Sequence, residues 1–204
     1  TPDGTSTIVG TTGLKPRGIA VDTDGNVYTA NTDSETVSKI TPAGASTIFG
    51  TTGNTPVAIA IDVNGNLYTA NVDSDTVSKI TAGGISTILG VTGSGPVDIT
   101  VDADGNVYTA NQASDDVSKI APDGTTTTLG TTGAGPRGIA LDAAGNIYTA
   151  NRDTDNVSKI TPDGNSATLG ATALRPRGIA VDTDGNVYTS STSSNTLSKI
   201  TDTS

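Results

Sequence analysis

Short runs of apolar and β-branched residues alternate with polar turn segments along the whole chain. In the first unit, the runs Gly18–Val21 and Val27–Ala30 flank the turn segment Asp-Gly-Asn. Two β-rich runs joined in this way are typical of a tight antiparallel hairpin. A third run covers Thr36–Thr41 and, after the turn Pro-Ala-Gly, a fourth covers Ser46–Phe49. The pattern therefore predicts four strands, which we call A, B, C and D in chain order.

The four runs return with a fixed period of 40 residues, without insertion or deletion. No window shows the 3.6-residue apolar period of a helix, and glycine and proline recur too often for one. A period near forty residues is typical of propellers and solenoids. The sequence thus predicts an all-β protein, a five-bladed β-propeller with four antiparallel strands per blade, in one domain over residues 1–204. Its repeats are residues 1–40, 41–80, 81–120, 121–160 and 161–200.

Strand A is built from small residues, which favours a propeller over a solenoid. The blades of a propeller converge on a central axis, where small side chains fit best, and the bulkier tyrosine and isoleucine then lie further out. Both faces of each blade are buried against its neighbours, so a clean polar-out alternation is not expected. The small residues of strand A are Gly18, Ala20, Ala58, Ala60, Gly138, Ala140, Gly178 and Ala180.

The two ends of the chain contain complementary parts of one blade. Residues Thr5–Val9 form a strand D without a preceding A, B and C, whereas Gly178–Thr201 supply A, B and C without D. Pairing of these ends would close the ring and hide two sheet edges that invite aggregation. We therefore expect the N-terminal strand to complete the C-terminal blade. The alternative is an excerpt from a longer repeat array, cut at an arbitrary phase.

The composition removes several kinds of chemistry. The chain has no cysteine, which excludes disulfides and thiolate metal sites, and no histidine, the commonest general base and metal ligand. No stretch approaches the roughly 18 apolar residues of a membrane span, and no signal-peptide pattern begins the chain. We expect a soluble monomer without cofactor or metal, and the sequence assigns no compartment.

The segments PRGIAVDTDGNVYTAN and TVSKITPAG resemble the NHL-repeat propeller family and, more loosely, the streptogramin-lyase-like bacterial propellers. The resemblance covers the whole chain, and Pro16, Gly25, Asn26 and Tyr28 occupy the blade-defining positions of the family. It implies a propeller scaffold whose function lies in its loops. The lyase branch relies on a catalytic histidine and on carboxylates that hold magnesium. Because this chain has no histidine, the resemblance does not imply that chemistry here.

Cationic residues gather in the D–A and B–C loops, which should emerge on one face of the ring. Units one, four and five carry them, whereas units two and three instead carry Val57, Val97 and Asp98 in this region. Such a sector in a chain of net charge −10 predicts binding of phosphate, carboxylate or an acidic protein partner. The candidate ligand-binding residues are Lys15, Arg17, Arg137, Arg152, Arg175 and Arg177.

A structural interpretation of these cations stays open. Asp33, Glu35, Asp153 and Asp155 lie in nearby loops and could pair with them as solvated surface ions. Nucleic acid is disfavoured as a partner, because the overall charge is acidic and the tyrosines belong to the blade core.

Three further patterns favour structural explanations. The segment Asp22–Asn26 has spaced oxygen ligands, but the spacing does not fit an EF-hand, and an Asx-stabilised hairpin turn explains it better. The lysines of strand C, such as Lys39, are expected to cover apolar surface with their stems. Asp98 is the one acidic residue of its column and lies near the predicted channel rim, which makes it a test site for carboxylate chemistry.

Two classes of function follow. The near-identical units and the missing catalytic residue types favour a non-catalytic scaffold or binding module, recently amplified or designed, with any ligand on the D–A and B–C loop face. The alternative is a lyase-like or hydrolase-like propeller enzyme with a carboxylate–metal site. Catalysis would need several convergent groups, of which the sequence displays few.

Overall fold

The computed structural model describes residue 4 and residues 6–202 of the chain. Nineteen β-strands and no helix occur in this part, which confirms the all-β class. The strands form five antiparallel sheets, and each sheet is a simple meander in which chain neighbours are hydrogen-bonded. Four sheets have four strands and the last has three.

The first three sheets, here called blades one to three, contain β1 to β12, with bounds that lie within two residues of the predicted runs in the first unit. Blade one is β1 (Pro16–Val21), β2 (Val27–Asn31), β3 (Thr36–Ile40) and β4 (Ser46–Thr51). Blade two is β5 (Pro56–Ile61), β6 (Leu67–Asn71), β7 (Thr76–Ile80) and β8 (Ser86–Val91). Blade three is β9 (Pro96–Val101), β10 (Val107–Asn111), β11 (Asp116–Ile120) and β12 (Thr126–Thr131).

The last two sheets, blades four and five, contain the remaining strands. Blade four is β13 (Pro136–Leu141), β14 (Ile147–Asn151), β15 (Asn156–Ile160) and β16 (Ser166–Ala171). Blade five is β17 (Pro176–Val181), β18 (Asn186–Ser191) and β19 (Thr196–Thr201).

The A–B hairpin turn is held by an aspartate carboxylate. In blade one, the backbone N–H groups of Asp24 and Asn26 donate to Asp22 Oδ1, at 3.0 and 2.8 Å. The side-chain amide of Asn26 and the hydroxyl of Tyr28 donate to Asp22 Oδ2, at 2.8 and 3.0 Å. Gly25 adopts a φ of 80°, which a turn of this shape requires and which glycine tolerates at no steric cost. The predicted Asx-stabilised turn is therefore present.

The core lies between blades rather than within them. Tyr28, Ala30 and Val37 of blade one pack against Ile59, Leu67 and Ile80 of blade two, and corresponding clusters join each later pair of blades. Strands A of neighbouring blades approach so closely that a Cβ on Gly18 would lie 2.9 Å from the Cα of Ala58. Burial of apolar area on both faces of each sheet stabilises this arrangement.

The N-terminal segment does not complete blade five, in contrast to our expectation. Residues 6–9 of the expected strand Thr5–Val9 belong to no sheet, Thr5 lies outside the described residues, and β19 has no strand D beside it. Instead, the N–H of Thr11 donates to Ser46 Oγ, as Thr51 does to Ser86 Oγ one blade later. The segment is thus docked on blade one in the way that β4 is docked on blade two.

The inner strands at the two ends of the array do not close the ring either. β1 packs against β5 and β17 packs against β13, but no comparable packing joins β17 to β1 among the described strands. As a result the side chain of Ile19 is 66% exposed, whereas its counterpart Ile59 is 9% exposed. The five sheets therefore form an open arc, so the predicted ring closure is not observed.

Candidate anion-binding site

A β-bulge at the start of strand A positions the residue that follows the repeated proline. In blade one, Pro16 pairs with Asn31 and Gly18 pairs with Ala30, so Arg17 is an extra residue between two neighbouring pairs. The same register shift occurs at the start of β5, β9, β13 and β17. Bulges of this kind turn a side chain out of the regular ladder. The five bulge residues are Arg17, Val57, Val97, Arg137 and Arg177.

All five bulge residues line one cavity, so each blade contributes to it. Its volume is about 340 Å³. Thr55 of the D–A loop and Val72 and Gln112 of the B–C loops complete the lining. The cavity therefore opens on the face where the sequence predicts a ligand.

The guanidinium of Arg137 lies partly buried in this cavity among other cations. Burial lowers the pKa of its guanidinium, and the neighbouring charges of Arg177, Arg152 and Arg17 lower it further, against an opposing contribution from Asp153. The Nε of Arg137 is buried and has no hydrogen-bond partner among the described residues. A buried donor without an acceptor costs free energy, and clustered cations repel one another. An anion in the cavity would relieve both.

The structure divides the six predicted cations into two groups. Arg17, Arg137 and Arg177 line the cavity, and Arg152 is close enough to act on Arg137 electrostatically. Arg152 also pairs with Asp153 at 3.3 Å. Lys15 pairs with Asp33 at 2.7 Å on the exposed surface, as the ion-pair interpretation expects.

Arg175 belongs with Lys15 outside the cavity lining. Its backbone N–H donates to the carboxylate of Asp155 at 2.7 Å, and its φ of 55° lies in the left-handed region. Lys15 and Thr55 share this conformation, and glycine occupies the corresponding positions in blades three and four. The D–A loop thus has a similar left-handed conformation in all five blades.

Sequence reasoning missed the uncharged part of the lining. Thr55 occupies the column of Lys15 and Arg175, while Val72 and Gln112 occupy the column of Arg152. The column positions could have revealed them, since each lies one or two units away from a predicted cation. Thr55 and Val72 gave no chemical signal, because valine and threonine are the ordinary residues of a β-protein, whereas Gln112 is the one glutamine of the sequence.

Asp98 connects two blades across the inner rim. Its Oδ1 accepts from the N–H of Ile99 at 3.0 Å, and its Oδ2 accepts from the N–H of Ile139, in blade four, at 2.9 Å. Burial raises the pKa of Asp98 to about 6, although these two hydrogen bonds act in the opposite direction. Both carboxylate oxygens thus have backbone partners, which is a structural role.

The acidic turn segments and the strand C lysines also have protein partners. The Asp22 carboxylate accepts four hydrogen bonds, and these lower its pKa. No group of three or more carboxylate, histidine or cysteine side chains in a metal-binding arrangement occurs in residues 4 and 6–202. Lys39 lies over the ring of Tyr28, with its Nζ 5.5 Å from the centroid, and Lys159 pairs with Asp202. No helix that could cross a membrane is found in the described part of the chain.

The meander sheets, the core between them and the shared cavity on the loop face define a β-propeller-type repeat protein. Residues 2–204 match the model of the virginiamycin B lyase family, and the chain belongs to this family. This result confirms the resemblance to the streptogramin lyases. No curated protein sequence matches the chain.

Solved structures support the same fold. Virginiamycin B lyase from Staphylococcus aureus is 18% identical, with a TM-score of 0.76 over 94% of this chain and 71% of that chain. A catalytically inactive histidine-to-alanine variant of that lyase with quinupristin is 19% identical, with a TM-score of 0.78 over 95% and 71% of the two chains. A chain of the nidogen/laminin complex is 19% identical, with a TM-score of 0.75 over 90% and 74%.

Proposed function

We propose that this chain is a non-catalytic binding module that holds a small anionic ligand between Arg17, Arg137 and Arg177. The observation that carries the proposal is the buried Nε of Arg137, which has no partner within the described residues and sits among like charges. A guanidinium can donate two parallel hydrogen bonds to a carboxylate, sulfate or phosphate. Three guanidinium groups around one cavity can therefore replace the hydration shell of such an anion.

The missing histidine supports binding over catalysis. A lyase of this family from Staphylococcus aureus is described as catalytically inactive when one histidine is replaced by alanine. The present 204 residues contain no histidine. General acid–base catalysis would then depend on carboxylates, and Asp98 already binds two backbone N–H groups. The cavity retains the means to bind an anion, and none of its lining residues is a typical general base.

Isothermal titration with inorganic phosphate and sulfate at two salt concentrations tests the proposal. We expect saturable binding that weakens with salt, because screening reduces the attraction between exposed charges. Arg177→Gln and Arg17→Gln should each weaken binding about tenfold or more, since each removes a charge-assisted hydrogen bond of roughly 1.5–3 kcal/mol. The matched control is Arg175→Gln, which removes the same charge two residues away, outside the lining. Equal effects of Arg175→Gln and Arg177→Gln would contradict a specific site.

Family membership favours a second candidate, a lyase-like or hydrolase-like enzyme that uses a carboxylate–metal site. A metal that binds the folded state stabilises it by RT ln(1 + [M]/Kd), so the melting temperature rises as the metal concentration exceeds Kd. A thermal-shift titration with magnesium and calcium at millimolar concentration therefore separates the two candidates. A rise in melting temperature that grows with metal concentration would favour the enzyme, and an unchanged melting temperature would favour the binding module.

A further inference from the structure

The cavity has two chemically different walls. Among the bulge residues, blades one, four and five supply guanidinium groups, whereas blades two and three supply the isopropyl groups of Val57 and Val97. Val72, from the B–C loop of blade two, adds a third isopropyl group beside them. The cations therefore come from blades at the two ends of the arc, and the apolar side chains come from the two blades between them.

A small inorganic anion would leave the apolar wall without a binding partner. Such an anion fills the cationic side and leaves water against the three valines, which is unfavourable for apolar surface. Pockets for organic ligands are mostly apolar, with a few polar groups that fix the orientation. Thr55 and Gln112 supply a hydroxyl and an amide in the same lining.

We propose, on the basis of the anion-binding function above, that the natural ligand is an amphipathic organic anion. Its oxyanion group binds Arg17, Arg137 and Arg177, and its short acyl or aryl body lies against Val57, Val72 and Val97. A volume of about 340 Å³ is at the small end of the range for ligand pockets, which favours a small molecule. The polar side chains Thr55 and Gln112 accommodate the junction between the head and the apolar body.

A series of straight-chain carboxylates tests the inference directly. Isothermal titration with acetate, butyrate and hexanoate keeps the carboxylate constant while the apolar body lengthens. Inorganic phosphate, which has no apolar body, is the reference ligand. We expect the affinity to rise by about fourfold for each added methylene that is buried, which corresponds to about 0.8 kcal/mol per group. Binding of hexanoate should also have a more negative heat-capacity change than binding of acetate.

Substitutions on the apolar wall distinguish the inference from the proposed function. The double variant Val57→Thr, Val97→Thr keeps the side-chain shape but replaces one methyl group of each valine with a hydroxyl. Hexanoate should therefore bind about tenfold more weakly, while phosphate binding stays the same. Val63→Thr, at an exposed turn position outside the cavity, is the matched control. Val97→Arg introduces the residue of blades one, four and five and should strengthen phosphate binding.

Each outcome has a separate meaning. A flat affinity across the carboxylate series, together with phosphate binding that Arg177→Gln weakens about tenfold or more, would overturn the apolar inference and leave the anion site in place. Absence of binding by every anion would overturn both. A rise across the series that the valine variants remove and Val63→Thr does not would support the amphipathic ligand.

Discussion

Asp98 is a charged residue in a column that is otherwise filled by glycine or alanine. Blades one, two, four and five have Gly18, Ala58, Gly138 and Gly178 at this position, where the inner strands approach closely. The Asp98 carboxylate joins two strands by two backbone hydrogen bonds, but its burial disfavours the ionised form. Stability should therefore depend on its protonation.

We predict that the free energy of unfolding rises as the pH falls from about 7 to 5. The folded-state pKa of Asp98 is about 6, above the ordinary value of 3.8, so the folded state binds the proton more tightly than the unfolded chain. This contribution is fully present below the unfolded pKa and is lost as the pH rises through 6. We expect about 1–2 kcal/mol, less than the full shift implies, because the side chain still has some contact with solvent.

Urea unfolding at pH 7.5 and pH 5.0 measures this difference. Asp98→Ala, which introduces the residue found in blade two, should flatten the dependence over this range. Asp104→Ala removes an exposed carboxylate at a turn position where blade four has alanine, and it should leave the dependence unchanged. The turn carboxylates, such as Asp62, have lowered pKa values, so their protonation destabilises the fold only at more acidic pH. Parallel curves for the wild type and Asp98→Ala would contradict the prediction.

At the residue scale, the sequence singled out the three arginines that line the cavity, whereas it did not single out Val72 or Gln112 of the same lining. Arg17, Arg137 and Arg177 are rare residue types in an acidic chain, so their columns are conspicuous. Val72 has no such signal, because valine occurs throughout the chain. Arg17 lines the same cavity as Arg177, although no packing comparable to that of neighbouring blades joins their strands. This proximity depends on the curvature of the arc, which the sequence does not specify.

At the scale of elements, a buried asparagine connects the incoming D–A loop with strands B and C. In blade two, Asn71 accepts from Thr69 Oγ1 and donates to Ser78 Oγ, and Ser78 Oγ also accepts from the N–H of Gly53 in the loop, each at 2.9 Å. A Cβ on Gly53 would lie 2.6 Å from Ser74 Oγ, 2.8 Å from Thr76 Oγ1 and 2.9 Å from Asn71 Nδ2. The asparagine and the two hydroxyl groups beside it therefore leave no room for a side chain at this position.

Blade five shows the same relationship through a paired change. It has Ser191 in place of the asparagine and Ala173 in place of the glycine. The shorter serine leaves room for the alanine methyl group, and the N–H of Ala173 still donates to Ser198 Oγ at 3.1 Å. The change leaves the Thr189 hydroxyl buried without a hydrogen-bond partner among the described residues. The two positions therefore act as one unit.

We predict that Gly53→Ala lowers the free energy of unfolding by about 2 kcal/mol, because its methyl group overpacks the loop junction. In the double variant with Asn71→Ser, the loss should be smaller than the sum of the two single losses, with a coupling of about 1 kcal/mol. Chemical denaturation of the four proteins of this cycle gives the coupling. Gly83→Ala is the control, since the nearest atom to its Cβ would be 3.8 Å away. Additive losses would show that the two positions are independent.

The hydrophobic pattern predicted the strands well, because each element is determined locally. The observed β4 is the predicted run Ser46–Phe49 with two residues added, and the observed β3 is the predicted run Thr36–Thr41 with one residue fewer. Turn glycines and prolines fix these bounds through backbone conformation. The bulge at Arg17 was not predicted, since an extra residue in a ladder becomes visible only when the pairing partner is known.

At the scale of the whole molecule, the curvature of the array explains why the ends do not meet. The chain aligns with 71% of the virginiamycin B lyase chain, so it is shorter than a solved structure that shares its fold. Closure at five would need a sharper angle between blades than the observed packing of Tyr28 and Val37 on Ile59 provides. Periodicity counts blades but does not specify this angle, so the sequence could not predict the open arc.

An open arc of repeats has end blades with fewer neighbours than the middle blades. In a repeat array, stability is close to a sum of unit terms and nearest-neighbour interface terms, so an end blade lacks one interface term. The exposure of Ile19, compared with the 7% of its counterpart Ile139, shows the missing interface on blade one. Leu197, on the free face of blade five, is likewise exposed, whereas its counterpart Val37 is buried.

Hydrogen exchange can measure this difference without a correction for sequence, because the repeats provide nearly identical peptides. The segments PRGIAV of β1 and β17 differ from PRGIAL of β13 at one residue, so their intrinsic exchange rates are almost equal. We predict that the amides of β1 and β17 exchange at least about tenfold faster than those of β13, since local opening at an end breaks fewer apolar contacts. Equal protection in the three segments would mean that the end faces are covered in solution, and a protein-concentration dependence of that protection would identify a second copy of the chain as the cover.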